Sequence, residues 1–289
     1  MRDDTRFRLR SAIASGRLVR AVGCHDALAA RLAENAGFEA IWESGLTLSA
    51  SRGVPDMGCV TMTEYLDTAE SMVQAVDLPV IADCDTGFGG PRNVEHMVRR
   101  YEARGIAAVC IEDKVFPKAN SFADVEHPLV SIPAFVDKID AGKSAQRDND
   151  FLLIARTEAL ISGMGMDEAM ERANCYAEAG ADLVLVHSRS SIPEEIVRFA
   201  RHWNRATPLV AIPTTYTTIT ETELHSLGFR VVIYANQTLR AQVKATRRML
   251  DTLANGGCAA SVDDDLVDIA DIFQLSSMPV RTFSDGSAT

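Results

Sequence analysis

MVRRYEARGIAAVCIED, residues 97–113, holds one complete structural unit. An amphipathic helical run leads to Gly105, placed where a helix C-cap needs a left-handed residue. An apolar run of strand length follows and ends in carboxylates. The same unit recurs as ARLAENAGFEAIWESG (30–45), ANCYAEAGADLVLVHS (173–188) and LHSLGFRVVIYAN (224–236), with Gly37, Gly180 and Gly228 at the matching position. The strands in these units are nearly all apolar, as required when helices cover both faces of a parallel sheet. Between them lie LVRAVGC (18–24), LPVIADCD (78–85), FLLIART (151–157) and PLVAIPT (208–214). Strands are therefore predicted near 18–24, 38–43, 78–84, 106–112, 151–157, 181–187, 208–212 and 229–234. Helical patterns fill 27–36, 64–75, 92–104, 131–143, 167–179, 193–203, 221–227 and 237–255. Eight strand–helix alternations predict an α/β fold of the (β/α)8 TIM-barrel type. A doubly wound open sheet is the alternative, but it normally opens with a glycine-rich dinucleotide turn. Neither GxGxxG nor GxxxxGK[ST] is present.

The chain has 289 residues, 29 Lys+Arg against 40 Asp+Glu, a formal net charge of −11 and 47% hydrophobic residues. That length suits one barrel domain, predicted over 1–257, with 258–289 as a tail carrying a short helix. The acidic balance argues against nucleic acid or an anionic membrane as partner. There is no apolar run of spanning length, and MRDDTRFRLRSAIASG lacks the apolar core of a secretory signal. Six widely spaced cysteines without a CxxC pair read as free, buried thiols in a reducing cytoplasm.

In a barrel of this kind, polar residues at the C-terminal strand ends line the catalytic mouth. Strand 2 ends in Trp42-Glu43-Ser44-Gly45, strand 3 in Asp83-Cys84-Asp85-Thr86-Gly87, and strand 4 in Glu112-Asp113-Lys114. Strand 5 ends in Arg156-Thr157-Glu158, strand 6 in His187-Ser188 and strand 8 in Tyr234-Ala235-Asn236. Asp83, Asp85 and Glu112 are hard oxygen donors on adjacent strands, which suits Mg2+ or Mn2+ rather than zinc. Their alternative role is as caps and surface charges. Arg156 has the fork geometry for a phosphoryl or carboxylate group, or it forms an ion pair with Glu158 or Glu112. His187 is either a site residue or a hydrogen-bonded core histidine.

Two connections are long: Ser44 to about Met62, which includes Asp56, and a lid over about 113–132. Long loops at this face commonly close over substrate and exclude water. Lys114, Lys118, Asn120 and Ser121 would bring charge and donors over an anionic ligand, although a solvated charged loop is the simpler reading of Lys114.

The segments DCDTGFGGPRNVEHMVRRYEARGIAAVCIEDKVFPKANS (83–121), IWESGLTLSASRGVPD (41–56), ARTEALISG (155–163) and LVHSRS (185–190) resemble the phosphoenolpyruvate mutase/isocitrate lyase superfamily, in its phosphomutase branch particularly. The likeness runs over roughly residues 18–250. Lyase branches carry a catalytic cysteine in a KKCGH-like motif, and the corresponding FPKANS (116–121) has none. Asn120 stands where hydrolase-type sequences carry Thr. Glu43 is a departure, because related sequences often have a small or neutral residue there.

The resemblance implies interconversion of phosphoenolpyruvate and phosphonopyruvate through a pyruvate enolate. The alternatives it leaves are phosphonopyruvate hydrolysis, or a Mg-dependent lyase or decarboxylase acting on a related acid. It implies that Trp42, Ser44, Gly45 and Leu46 hold the pyruvyl carboxylate, and that Asp83 anchors Mg2+ with Asp85 and Glu112 arranged through water. Arg156, His187, Asn120 and Ser121 would hold the phosphoryl group, with Lys118 in support. Asp56 would be the nucleophile, forming an acyl phosphate, or would lie beside a metaphosphate-like species. The resemblance further implies a homodimer or homotetramer with an exchanged final helix.

Overall fold

The apolar segments become eight parallel strands because each can bury both its faces. They are β1 (Val19–Cys24), β2 (Ala40–Glu43), β3 (Val80–Asp83), β4 (Ala108–Glu112), β5 (Leu152–Thr157), β6 (Leu183–Val186), β7 (Leu209–Ala211) and β8 (Phe229–Tyr234). In the computed structural model, which describes residues 4–276, they pair in chain order and close into a barrel. The seam runs from Val19↔Val231 to Val22↔Tyr234, as an ordinary parallel ladder. Alternate residues face opposite ways: Ala40 and Trp42 pack in the barrel interior, and Ile41 packs in the layer under the helices.

Seven helices cover the outside of the strands: α2 (Ala27–Asn35), α4 (Met62–Ala75), α5 (Pro91–Ala103), α6 (Ile132–Ala145), α7 (Gly165–Glu178), α8 (Glu194–His202) and α9 (Glu221–Ser226); α10 (Gln237–Ala254) follows β8 and buries none of its residues. Their starts follow capping chemistry. Thr61 and Glu64 form a reciprocal capping box on α4, and Asp26 caps α2.

Two further helices correct the sequence reading. Helix α1 (Asp4–Ala14) places Leu9 and Ile13 in the interior cluster with Val19, Ala107 and Leu152, at the strands' N-terminal ends. The connection expected as loop from Ser44 opens with α3 (Gly45–Ser51), whose N-cap is Ser44. Its small and hydroxylated residues give no helical stripe, so only the cap announces it. The lid base is a short antiparallel bridge, Lys114↔Leu129, extended by Val115 N–H to Pro128 O at 2.9 Å.

Two compact units divide the chain, Met1–Arg240 and Ala241–Thr289. Within the second, a 3-10 turn (Ala259–Asp265) buries Val262, and α11 (Ile269–Ser276) follows. Leu250, Leu266, Ile269 and Phe273 are exposed there. The remainder of the expected tail, 277–289, lies outside the described residues. All six cysteines are free, as expected, but only Cys24, Cys84 and Cys110 are buried. Cys175 is half-buried, and Cys59 and Cys258 are exposed because neither lies in a strand. Among the described residues, no helix is long and apolar enough to cross a membrane.

Candidate active site

A cavity opens at the C-terminal strand ends. Trp42, Ser44 and Leu46 form one wall, and Asp56 and Asp83 an acidic one. Lys118, Asn120, Ser121 and Phe122 reach it from the lid. Arg156 gives the opposite wall its cationic character, His187 stands beside it, and Ile212, Thr214, Ala235 and Asn236 complete the ring. The last four and Phe122 were not singled out as ligand residues from the sequence. Thr214 lies just beyond β7, near the level where Asp83 and Arg156 stand at the ends of β3 and β5, so extending the strand-end rule to β7 would have reached it.

The acidic side lacks enough counter-charge. Asp83 Oδ1 accepts from Asp85 N–H at 3.2 Å and Oδ2 from Gly45 N–H at 3.4 Å, both long bonds. Burial raises Asp83, and it pushes Asp85 up to about 7 against the pull of Lys118. Asp85 also takes a bond from Tyr65 Oη at 3.3 Å. It adopts a left-handed backbone with φ 48°, which Asp tolerates better than most residues. A side chain at position 45 would put its Cβ 2.8 Å from Tyr65 Oη and 3.3 Å from Asp83 Oδ2, so the close approach requires glycine. Glu112 packs against Arg156 Nε (3.3 Å) and Lys114 Nζ (3.5 Å).

Two adjacent desolvated carboxylates with hard oxygens fit a divalent cation. Among the described residues, no group of three His, Cys, Asp or Glu side chains converges into a ready ligand set. Asp83 and Asp85 would thus give a partial shell, with water and ligand oxygens filling the rest, as Mg2+ prefers.

Asp56 is better compensated than this pair. Lys118 Nζ lies 2.7 Å from its Oδ1 and 3.0 Å from Asp85 Oδ1, and Asn120 Nδ2 donates to its Oδ2 at 2.6 Å. Burial raises Asp56, but Lys118 and Asn120 outweigh it and hold the carboxyl below its ordinary value. The lid therefore keeps an ionised carboxylate at the cavity.

Arg156 forms the ion pairs that one of its two readings expects, and it also faces the cavity. It lines the cavity while its Nε contacts Glu158 Oε1 at 2.5 Å. His187 lines the cavity too, with Nδ1 2.8 Å from the same oxygen. Burial and Arg156 lower His187, so the free ring is neutral. Lys114 fits neither sequence reading: it is buried, off the cavity, and paired with Glu158 Oε2 at 2.9 Å. Gly45, Asp85 and Glu112 likewise stand behind the lining. Ser44 N–H donates to Cys24 O at 3.3 Å and Gly45 N–H to Asp83, so a carboxylate bound there would compete for both amides.

A closed parallel barrel with carboxylates facing cations across its C-terminal mouth is the architecture of a (β/α)8 barrel enzyme. The chain belongs to the phosphoenolpyruvate phosphomutase family, whose profile matches residues 9–254, within the phosphoenolpyruvate mutase/isocitrate lyase superfamily. The phosphoenolpyruvate phosphomutase structure from Streptomyces platensis subsp. rosaceus superposes with a TM-score of 0.92 at 49% identity, covering 93% of this chain and 94% of that one. Phosphonopyruvate hydrolase of Variovorax sp. (strain Pal2) is 44% identical over 92% of this chain and 93% of its own. A phosphonopyruvate hydrolase structure in complex with oxalate and Mg++ has a TM-score of 0.88 at 43% identity, covering 94% of both chains.

Proposed function

We propose that this chain is a phosphoenolpyruvate phosphomutase, an isomerase interconverting phosphoenolpyruvate and phosphonopyruvate in phosphonate biosynthesis. The observation that carries this reading is the bond from Asn120 Nδ2 to Asp56 Oδ2 at 2.6 Å. An amide donating there takes up a carboxylate oxygen that could otherwise hold a water near a phosphoryl group.

Asp83, Asp85 and Glu112 would hold Mg2+, or Mn2+ in its place, directly or through water. The bound ion supplies Lewis-acid stabilisation for enolate charge on the pyruvyl oxygens. Trp42, Ser44, Gly45 and Leu46 orient the pyruvyl carboxylate. Asp56, ionised and held by Lys118 and Asn120, faces the phosphorus as nucleophile or as a template for a metaphosphate-like transfer. Arg156, His187 and Ser121 hold phosphoryl oxygens, and the closed lid excludes water that would otherwise release phosphate.

Phosphonopyruvate hydrolysis is the second reading, favoured by the 44% identity to the Variovorax enzyme. Phosphorus NMR of phosphonopyruvate with the protein and Mg2+ separates them: phosphoenolpyruvate marks the mutase, inorganic phosphate the hydrolase. Cleavage of a substituted malate with no turnover of phosphonopyruvate would overturn both. Asn120→Thr should shift the wild-type product ratio toward phosphate.

The free cysteines fit a cytoplasmic site of action. The exposed apolar side chains of the second unit fit an exchanged final helix in a homodimer or homotetramer, which sedimentation would test.

A further inference from the structure

Glu158 is wholly buried and does not line the cavity, yet both its oxygens are saturated. Oε1 receives Arg156 Nε at 2.5 Å and lies 2.8 Å from His187 Nδ1. Oε2 accepts from Ser121 Oγ at 2.6 Å and meets Lys114 Nζ at 2.9 Å. The first oxygen thus serves the ends of β5 and β6, and the second serves the lid. Ser121 closes the square, since Arg156 Nη2 donates to its Oγ at 3.1 Å.

The residue is also held through its backbone. Glu158 N–H donates to Asp113 Oδ1 at 2.8 Å, and Asp113 Oδ2 accepts from Tyr176 Oη at 2.7 Å and Thr157 Oγ1 at 3.1 Å. Arg172 pairs with the same oxygen at 3.2 Å. Burial pushes Glu158 up, but Arg156, His187 and Lys114 overcome it and hold the carboxyl well below its ordinary value.

Two groups compete for His187 Nδ1, Glu158 Oε1 and Arg156 Nη2, both at 2.8 Å. A guanidinium only donates and a carboxylate only accepts, so the ring's tautomer depends on which one prevails. If Glu158 prevails, Nδ1 carries the proton and Nε2 keeps its lone pair.

We propose that Glu158 is a positioning residue that sets Arg156 and the His187 tautomer while Ser121 and Lys114 are docked, so that lid closure assembles the cationic wall. The inference rests on the proposed reading of that wall as the phosphoryl half of the site. It gives the open lid a defined consequence: the wall disassembles when water has access.

The test uses Glu158→Gln in the full chain, without substrate. Its amide can accept through one atom only and presents N–H to the other donor pair. Nitrogen-15 NMR of the His187 ring should show Nδ1 losing its proton in part to Nε2. Tryptic cleavage after Lys114 and Lys118 should rise about tenfold as the lid opens more often. Circular dichroism must show a folded barrel; if this variant does not fold, Ser121→Ala carries the same two readouts in the same directions. In a folded variant, either readout unchanged from wild type overturns the coupling. Because neither uses phosphonopyruvate, the result stands apart from the product assay.

Discussion

Asp56 and Glu43 show how differently two buried carboxyls of one barrel mouth behave. Asp56 has two donors within 2.7 Å and stays ionised, so it is competent to meet phosphorus. Asp56→Ala should lower turnover by roughly 10^3-fold or more, since a lost nucleophile is not replaced. Magnesium binding, measured by calorimetry, should persist, because Asp83 takes its contacts from other groups. Substantial residual turnover would sink the phosphoaspartyl route. Glu43 has no hydrogen-bond partner for either oxygen. Burial, then the negative charge of Asp83 and Asp85, raises its carboxyl well above its ordinary value of 4.5. The unfolded chain gives up that proton as pH passes this value while the folded chain keeps it. Stability is therefore lost with rising pH, by up to about 1.4 kcal/mol per pH unit from this group. Glu43→Gln removes the penalty, so its stability advantage in urea melts should widen from about pH 5 to pH 8. A constant gap between variant and wild type would refute this account.

Elements were legible where local chemistry and burial agree. The eight strands stand within about two residues of their expected limits because an apolar run between a glycine cap and a polar strand end has one use in this fold. Helix α3 was hidden because SGLTLSAS, residues 44–51, packs through small side chains. Helix α1 was hidden because its two core residues, Leu9 and Ile13, sit among arginines. Those arginines anchor it: buried Arg6 donates to Ile106 O at 2.9 Å, bonds Glu102 O, and pairs with Asp148 at 2.8 Å. This end of a barrel serves stability rather than chemistry. Arg6→Ala should cost about 2–4 kcal/mol in chemical unfolding, since it strands a buried carbonyl and breaks a partly buried pair. The variant's kcat/KM should match wild type at a temperature where both are folded; a large kinetic loss would mean that α1 influences the mouth. The site divided along the same line. Strand-end residues such as Asp83, Arg156 and His187 were readable from position, whereas Glu158's four partners come from four separate points in the chain.

At the scale of the molecule, a net charge of −11 surrounds a proposed site for a small anion. The mouth separates the signs: Asp83 and Asp85 gather where a cation fits, and Arg156 and the lid lysine Lys118 supply positive charge. Part of the acidity is then a cost carried by the metal-free fold, because burial disfavours Asp83 and Asp85 as anions. A cation that binds only the folded chain offsets that cost. Magnesium at about 100 times its dissociation constant should stabilise the protein by about 2.7 kcal/mol. The rise should be visible as a concentration-dependent melting temperature, with no substrate present. Asp83→Asn should abolish most of the rise, whereas Arg6→Ala, at the opposite end of the strands, should keep all of it while melting lower. An equal magnesium response in Asp83→Asn and wild type would place the cation elsewhere and leave the acidic strand ends without their proposed role.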